Sequence, residues 1–291
     1  MSGGPLVAYK RYLSTLFHMY VWYNEDFNPK SNCQNTAYTA CPPSSPQFTY
    51  FFKSLKFRIW KSIDKVKLKH DCASQQSYRS TQVFISQKNM ALTQFGFMGF
   101  IVWKTEFVGV YGAEREELEA FIHVWRVIGN IMGIEDRFNI CRESVEETRE
   151  ICEELVERVF KPNMMMKHQD FYDMSNALLS GMWCMMPLFV HKPFIHIIAT
   201  VIVSPSSENV KNINNNDNVT VQDKIDQVPD FNLRKWEKIY AEIVLGFMRL
   251  FRFRALRIFH QYVIYIALWL MNNFPFLAYY SFGRANSHIK I

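Results

Sequence analysis

The sequence predicts an all-α protein, and three observations predict it. Apolar residues recur at three- and four-residue steps through most of the chain, no long β-branched alternation occurs, and glycine and proline are sparse at 11 each. The apolar content is bulky, with 16% aromatic residues and 25 phenylalanines, so the helices pack through large side chains. A chain of 291 residues buries a large core, as one large domain or two small ones.

The first helix is expected over 6–23, with Leu6, Tyr9, Leu13, Leu16, Phe17 and Tyr20 on its apolar side. Arg11, Ser14, Thr15 and His18 share the opposite face, which a solvent-facing side explains. From 24 to about 49 the chain reads as irregular, marked by Asn28-Pro29, Pro42-Pro43 and Ser44-Ser45-Pro46. Helices then run from about 50 to 203, with breaks near 109–112, 137–143 and 161–167.

In the helix after the insert, Ile59, Ile63, Val66 and His70 follow one another at steps of four, three and four. His70 therefore lies on an apolar face, although Lys61, Lys65, Lys67 and Lys69 surround it in the chain. Ala73, Ser74 and Ser77 leave the next two turns of that face lined by small side chains. A histidine followed by space suits a flat, bulky, iron-bearing cofactor; a hydrogen-bonded core histidine is the plainer reading.

Residues 93–141 hold the strongest helix pattern. Gly112 and Glu114-Arg115-Glu116-Glu117 make a turn with acidic residues in a first helical turn, where they favour the helix dipole. Leu118, Phe121, Ile122, Trp125, Ile128 and Met132 form an apolar stripe. Glu116, Glu119, His123, Arg126 and Asn130 form a polar one, so His123 and Arg126 read as solvated or structural.

A net charge of +6 without a dominant Lys/Arg block gives no default for nucleic-acid binding. The six cysteines contain no CxxC pair, which fits free thiols in a reducing compartment better than a zinc ribbon or disulfide framework. Met1 to Pro5 is short and uncharged and is followed by Lys10 and Arg11, unlike a cleavable signal peptide. Two segments raise the membrane question: 182–203, interrupted by Pro187, Lys192 and Pro193, and 262–282, which holds Asn272, Asn273 and Pro275. Arg249, Arg252, Arg254 and Arg257 precede the second, interleaved with Leu250, Phe251 and Phe253, a pattern suited to a membrane surface. Buried helices of a cytoplasmic protein are the alternative.

Three parts follow: a helical domain at 6–203 with its insert at about 24–58, a polar asparagine-rich linker at 204–230, and a C-terminal helical segment at 231–291. Within the last, a helical hairpin or kinked helix is expected over 233–282.

The block His123-Val-Trp125-Arg126-Val-Ile-Gly129, continuing through Gly133-Ile-Glu135-Asp136 to Phe138-Asn139 and Cys141, resembles the MpaB/rubber oxygenase family, its eukaryotic, insect-like members above all. Ile85-Ser86-Gln87, Thr93-Gln94-Phe95-Gly96-Phe97-Met98-Gly99 and Arg11-Tyr-Leu-Ser14-Thr15 resemble it too, so that the likeness covers about 9–203 outside the insert. It implies an all-helical, globin-like core, haem b held by one histidine, and cleavage by O2 of carbon–carbon double bonds in an isoprenoid or other apolar substrate. Some relatives are bound to the endoplasmic reticulum. The family's Arg-x-x-His haem motif corresponds to Lys67-Leu-Lys-His70, which makes His70 the iron ligand with Lys67 in place of arginine. Its distal Arg-x-x-Lys-Thr corresponds to Arg11-Tyr-Leu-Ser14-Thr15, with serine in place of the iron-capping lysine, and a further threonine corresponds to Thr93. Arg11 is then the residue that holds charge beside the haem, and Thr15 a hydrogen-bond donor there.

The departures from the family define the alternative. The chain begins almost on the distal helix, without counterparts of the upstream helices and their catalytic glutamate. Lys53-Ser54-Leu55-Lys56 and Lys61-Ser62-Ile63-Asp64 look like two copies of one junction, as an imperfect gene model would produce. A membrane-associated helical protein that keeps the scaffold without haem or catalysis is the second expectation, and a haem- or lipid-binding module without turnover the third.

Overall fold

The computed structural model describes residues 4–24, 46–187, 189–204 and 231–289, and every regular element among them is helical. The expected insert lies mostly outside the described residues, and the linker almost wholly so. The helices are α1 (Gly4–Asn24), α2 (Pro46–Thr81), α3 (Gln87–Trp103), α4 (Arg115–Ile131), α5 (Val145–Leu155), α6 (Lys161–Met165), α7 (Gln169–Met182) and α8 (His191–Val203). After the linker come α9 (Lys235–Leu250), α10 (Arg254–Asn273), α11 (Phe276–Phe282) and α12 (Arg284–Ser287).

Helix starts obey local capping chemistry. The Ser86 hydroxyl accepts from Asn89 N–H at 3.2 Å to open α3, and Ser144 accepts from Glu147 N–H at 3.1 Å to open α5. At α4 the Glu117 carboxylate accepts from the backbone N–H of Glu114 at 3.0 Å, which is half of a capping box. The break expected near 161–167 comes late. Pro162 has no N–H to donate, so the chain opens into a π turn over Val156–Phe160 and continues as α6. The reversal follows at Met166–His168.

The main core gathers Ile59 and Ile63 from α2, Phe95, Met98 and Val102 from α3, and Ile122, Trp125 and Ile128 from α4. Cys152 and Val156 enter it from the α5 rod, and Ile195, Ile197, Val201 and Ile202 from α8. The apolar stretch 182–203 thus divides into a turn and a core helix. α8 is 13 residues long and largely buried, well short of the ~20 residues a membrane span needs. Its C-terminal carbonyls are met by Lys104, whose ammonium donates to Val201 O and Ser204 O. Burial pushes that lysine down to about 8.

α1 packs along α7 and α2. A second core joins Tyr9, Leu13 and Phe17 of α1 to Cys184, Met185, Met271 and Ala278. The expected C-terminal hairpin is three helices in sequence, broken at Phe251–Phe253 and again at Phe274–Pro275. Gly109, at φ +84°, admits the Phe251 ring where a Cβ would come within 2.7 Å of it, and so seats the first of these breaks against the main body.

Candidate functional site

α1 and α2 run antiparallel, since Ser14 meets Lys69 while His18 and Trp22 both meet Ser62. The proposed distal motif therefore lies on the helix next to His70. The Lys69 ammonium donates to Ser14 Oγ at 3.0 Å, one residue before His70. Ser62 Oγ accepts from Trp22 Nε1 at 2.9 Å and lies 2.7 Å from His18 Nδ1. A hydroxyl has one proton and two lone pairs, so Ser62 can accept from Trp22 and bond His18 Nδ1 with either tautomer of the ring, whose other nitrogen is Nε2. That nitrogen is buried without a partner, and burial, with Lys69 and Lys65 nearby, pushes His18 down to about 4. The α1 face expected to be solvated is thus half buried, because α2 covers Ser14 and His18. Of Arg11, Ser14, Thr15 and His18, only Arg11 is exposed.

His70 lies where the helical spacing predicts, beyond the buried Ile59 and Ile63 and the partly buried Val66. Its Nδ1 is buried and has no hydrogen-bond partner. Burial lowers its pKa, against the opposing charge of Asp71, and keeps the imidazole neutral at pH 7. The small-residue face beyond it is covered in part: Ala73 is exposed, whereas Ser74 and Ser77 are engaged. Ser74 Oγ accepts from Ile85 N–H at 3.1 Å, and Ser77 Oγ donates to Val83 O at 2.9 Å. The turn joining α2 to α3 thus lies over this face, with Phe84 stacked on Tyr78 at 4.2 Å. Lys67 is exposed.

Arg11 and Thr15 turn elsewhere. The Arg11 guanidinium lies 5.0 Å from the Tyr12 ring and borders a cleft of about 230 Å³ between α1 and α7, with Phe171, Met174, Ser175 and Leu178 on the far wall. The Thr15 hydroxyl donates to the carbonyl of Arg11 at 3.0 Å. In that cleft Ser175 Oγ also lies 2.9 Å from His191 Nε2. The candidates therefore sit on neighbouring helices, and neither His70 nor Thr15 is among the residues that line the Arg11 cleft.

Thr93 is exposed on α3 and donates to Asn89 O at 2.8 Å. His123 is exposed on α4. Arg126 pairs with Asp136 at 3.1 Å and Glu143 at 3.6 Å, tying α4 to the turn that follows it.

Sequence reasoning missed the polar knot that these motif segments build. Gln94 Nε2 donates to Trp125 O at 3.0 Å and Asn139 Oδ1 at 2.9 Å, and its Oε1 accepts from Ile140 N–H at 3.3 Å. Asn139 Nδ2 donates to Arg126 O at 3.0 Å and Asn130 Oδ1 at 3.1 Å. Gly129 makes room for it, since a Cβ there would sit 2.6 Å from Gln94 Nε2. The signal was present as amides and a glycine set among apolar residues. Their buried meeting depends on packing. Beside the knot, burial pushes the Cys141 and Cys152 thiols up to about 12, so neither is a reactive thiolate.

Among the described residues no group of three or more His, Cys, Asp and Glu side chains could hold a metal ion. A haem asks instead for one neutral imidazole and a slot for its ring. The His70 nitrogen fits the first requirement, whereas the 82–86 turn covers the Ser74 and Ser77 part of the face that would provide the second and leaves Ala73 exposed. No family model, curated protein or solved structure matches the chain.

Proposed function

We propose that this chain is a haem-dependent, oxygenase-like protein that cleaves carbon–carbon double bonds of an isoprenoid or other apolar substrate with O2, at a membrane such as the endoplasmic reticulum. The observation that carries the reading is the His70 imidazole: neutral, half-buried on an apolar face, with a buried ring nitrogen that nothing else satisfies. The residue resemblance around His70 and along α1 points the same way. Haem b, when bound, supplies the redox chemistry on O2. His70 would hold the iron, and the apolar residues behind it exclude water. Arg11 offers a solvent-facing positive charge for a carboxylate, and the Thr15 hydroxyl is a donor that can exchange its bond to the Arg11 carbonyl for one to a ligand.

A second reading, the family scaffold without haem or turnover, is favoured by one observation: the 82–86 turn on the Ala73, Ser74 and Ser77 side of His70. Reconstitution with haem separates the two. The first requires a Soret band that His70→Ala abolishes or shifts; no band, or an identical band in the variant, leaves the second. Oxygen consumption with a prenyl substrate then distinguishes turnover from binding alone.

A further inference from the structure

α9 has two opposed apolar faces. Ala241 and Leu245 are buried, with α8 as the packing partner. On the outer side Trp236, Ile239, Ile243, Phe247 and Leu250 recur at three- and four-residue steps and are 44–65% exposed. A surface helix ordinarily places polar residues there. α10 is more extreme, because only Met271 among its residues is buried. Phe259, Tyr262, Ile266 and Trp269 form one exposed stripe, and Ile258, Val263, Ile264 and Tyr265 extend the apolar surface around it. A helix that is apolar on several sides belongs in a protein core or a lipid phase.

α10 is held at both ends. The Arg257 guanidinium donates to Phe251 O at 2.7 Å and Arg252 O at 3.1 Å, fixing the corner with α9. At its far end Leu268 and Met271 join the second core. The stretch between presents its apolar side chains outward. At the corner stand Arg249, Arg252 and Arg254, all exposed.

We infer that the outer faces of α9 and α10 form a membrane-docking surface that lies in the interface of an anionic lipid bilayer. Exposed apolar side chains enter the acyl boundary, tryptophan and tyrosine rings suit the headgroup level, and the corner arginines meet lipid phosphates. The charge separates this occupant from a second copy of the chain, which would bring another set of arginines to the same corner. Curvature of the apolar surface around α10 also suits a fluid phase better than a single rigid partner face.

The helices lie in the plane of the bilayer. No described helix is by itself long and apolar enough to cross it. The uncharged part of α10, 258–273, is about 24 Å long, short of the ~30 Å hydrocarbon thickness. α10 and α11 are long and apolar enough only when taken together, and they are bent by 50°. α11, however, is bound to the body: Ala278 is buried in the second core, and the Phe282 ring lies 5.2 Å from Tyr9.

The inference rests on the membrane placement proposed above and is independent of haem. The test is flotation of the purified full chain with phosphatidylcholine vesicles, with and without phosphatidylserine, alongside its oligomeric mass. The chain should float with phosphatidylserine vesicles and release with added salt. Replacing Arg249, Arg252 and Arg254 with Gln should weaken partitioning about a hundredfold. Ile243→Glu combined with Phe247→Glu should abolish it, while helical circular dichroism and cooperative melting stay intact because both side chains are exposed. A folded chain that ignores both kinds of vesicle overturns the membrane placement itself. Binding unchanged by the glutamate pair overturns this surface alone. A stable dimer that ignores vesicles assigns the face to a second copy and also overturns the inference.

Discussion

At the residue scale, the histidines differ in what their surroundings allow. His123 is exposed, whereas His18 is held neutral in a buried hydrogen bond and His70 has an unsatisfied buried nitrogen. The folded-state pKa of His18, about 4, lies below the unfolded value near 6.5, so the unfolded chain binds more protons in that window. Stability is then complete above about pH 6.5 and is lost as pH falls toward 4. The expected loss from His18 is on the order of 2–3 kcal/mol. Urea titrations across this window should show a slope steeper in the wild type than in His18→Gln by about one proton. His70 and His191, also lowered by burial, add to the fall in the same direction in both proteins. The helical spacing made the placement of His70 legible. That of His18 was not, because a face polar in sequence is indistinguishable from a solvated one until α2 is laid against it.

At the scale of elements, two glycines give opposite expectations. At Gly181 a Cβ would meet Pro5 O at 2.5 Å, Ala8 Cβ at 2.7 Å and Tyr9 N at 2.8 Å, so α7 approaches α1 backbone to backbone. Gly181→Ala should destabilise by about 1–3 kcal/mol, since backbone atoms cannot turn aside. At Gly246, inside α9, a Cβ meets nothing within 4 Å, and Gly246→Ala should stabilise by about 0.5–1 kcal/mol. Thermal melts of the two variants, shifting in opposite directions, check both. The helix start at Glu114 was readable from the acidic first turn after Gly112, because that signal lies within a few residues. The π turn before Pro162 was not, since a proline near a helix start and one that deforms a running helix have the same local sequence.

At the scale of the whole molecule, the first and last helices close on each other. The Tyr9 hydroxyl donates to Ser287 O at 2.8 Å inside the second core, and its pKa is pushed up to about 12 by burial. A raised folded-state pKa means stability that is present below about pH 10 and lost as pH rises through 12. Tyr9→Phe should cost about 1 kcal/mol at neutral pH, by orphaning a buried carbonyl. It should also make alkaline unfolding shallower by about one proton, measured by denaturant titrations from pH 9 to 12. Tyr23, Cys141 and Cys152, all raised to about 12 as well, add slope in the same direction in both proteins.

What the sequence determined by itself is local: an all-helical chain, the positions of most helices, the apolar stripe carrying His70, and a C-terminal segment rich in exposed-type aromatics and arginine. These follow from side-chain periodicity and capping, whose range is a few residues. Tertiary packing alone decided the rest. It buried Ser14 and His18 between α1 and α2, and turned 191–203 into a core helix. It laid over the Ser74 and Ser77 side of the face beyond His70 a turn that begins only five residues after Ser77, and it left the outer faces of α9 and α10 bare. A helix's pattern fixes which of its faces are apolar. Which of those faces meets protein depends on helices distant in sequence.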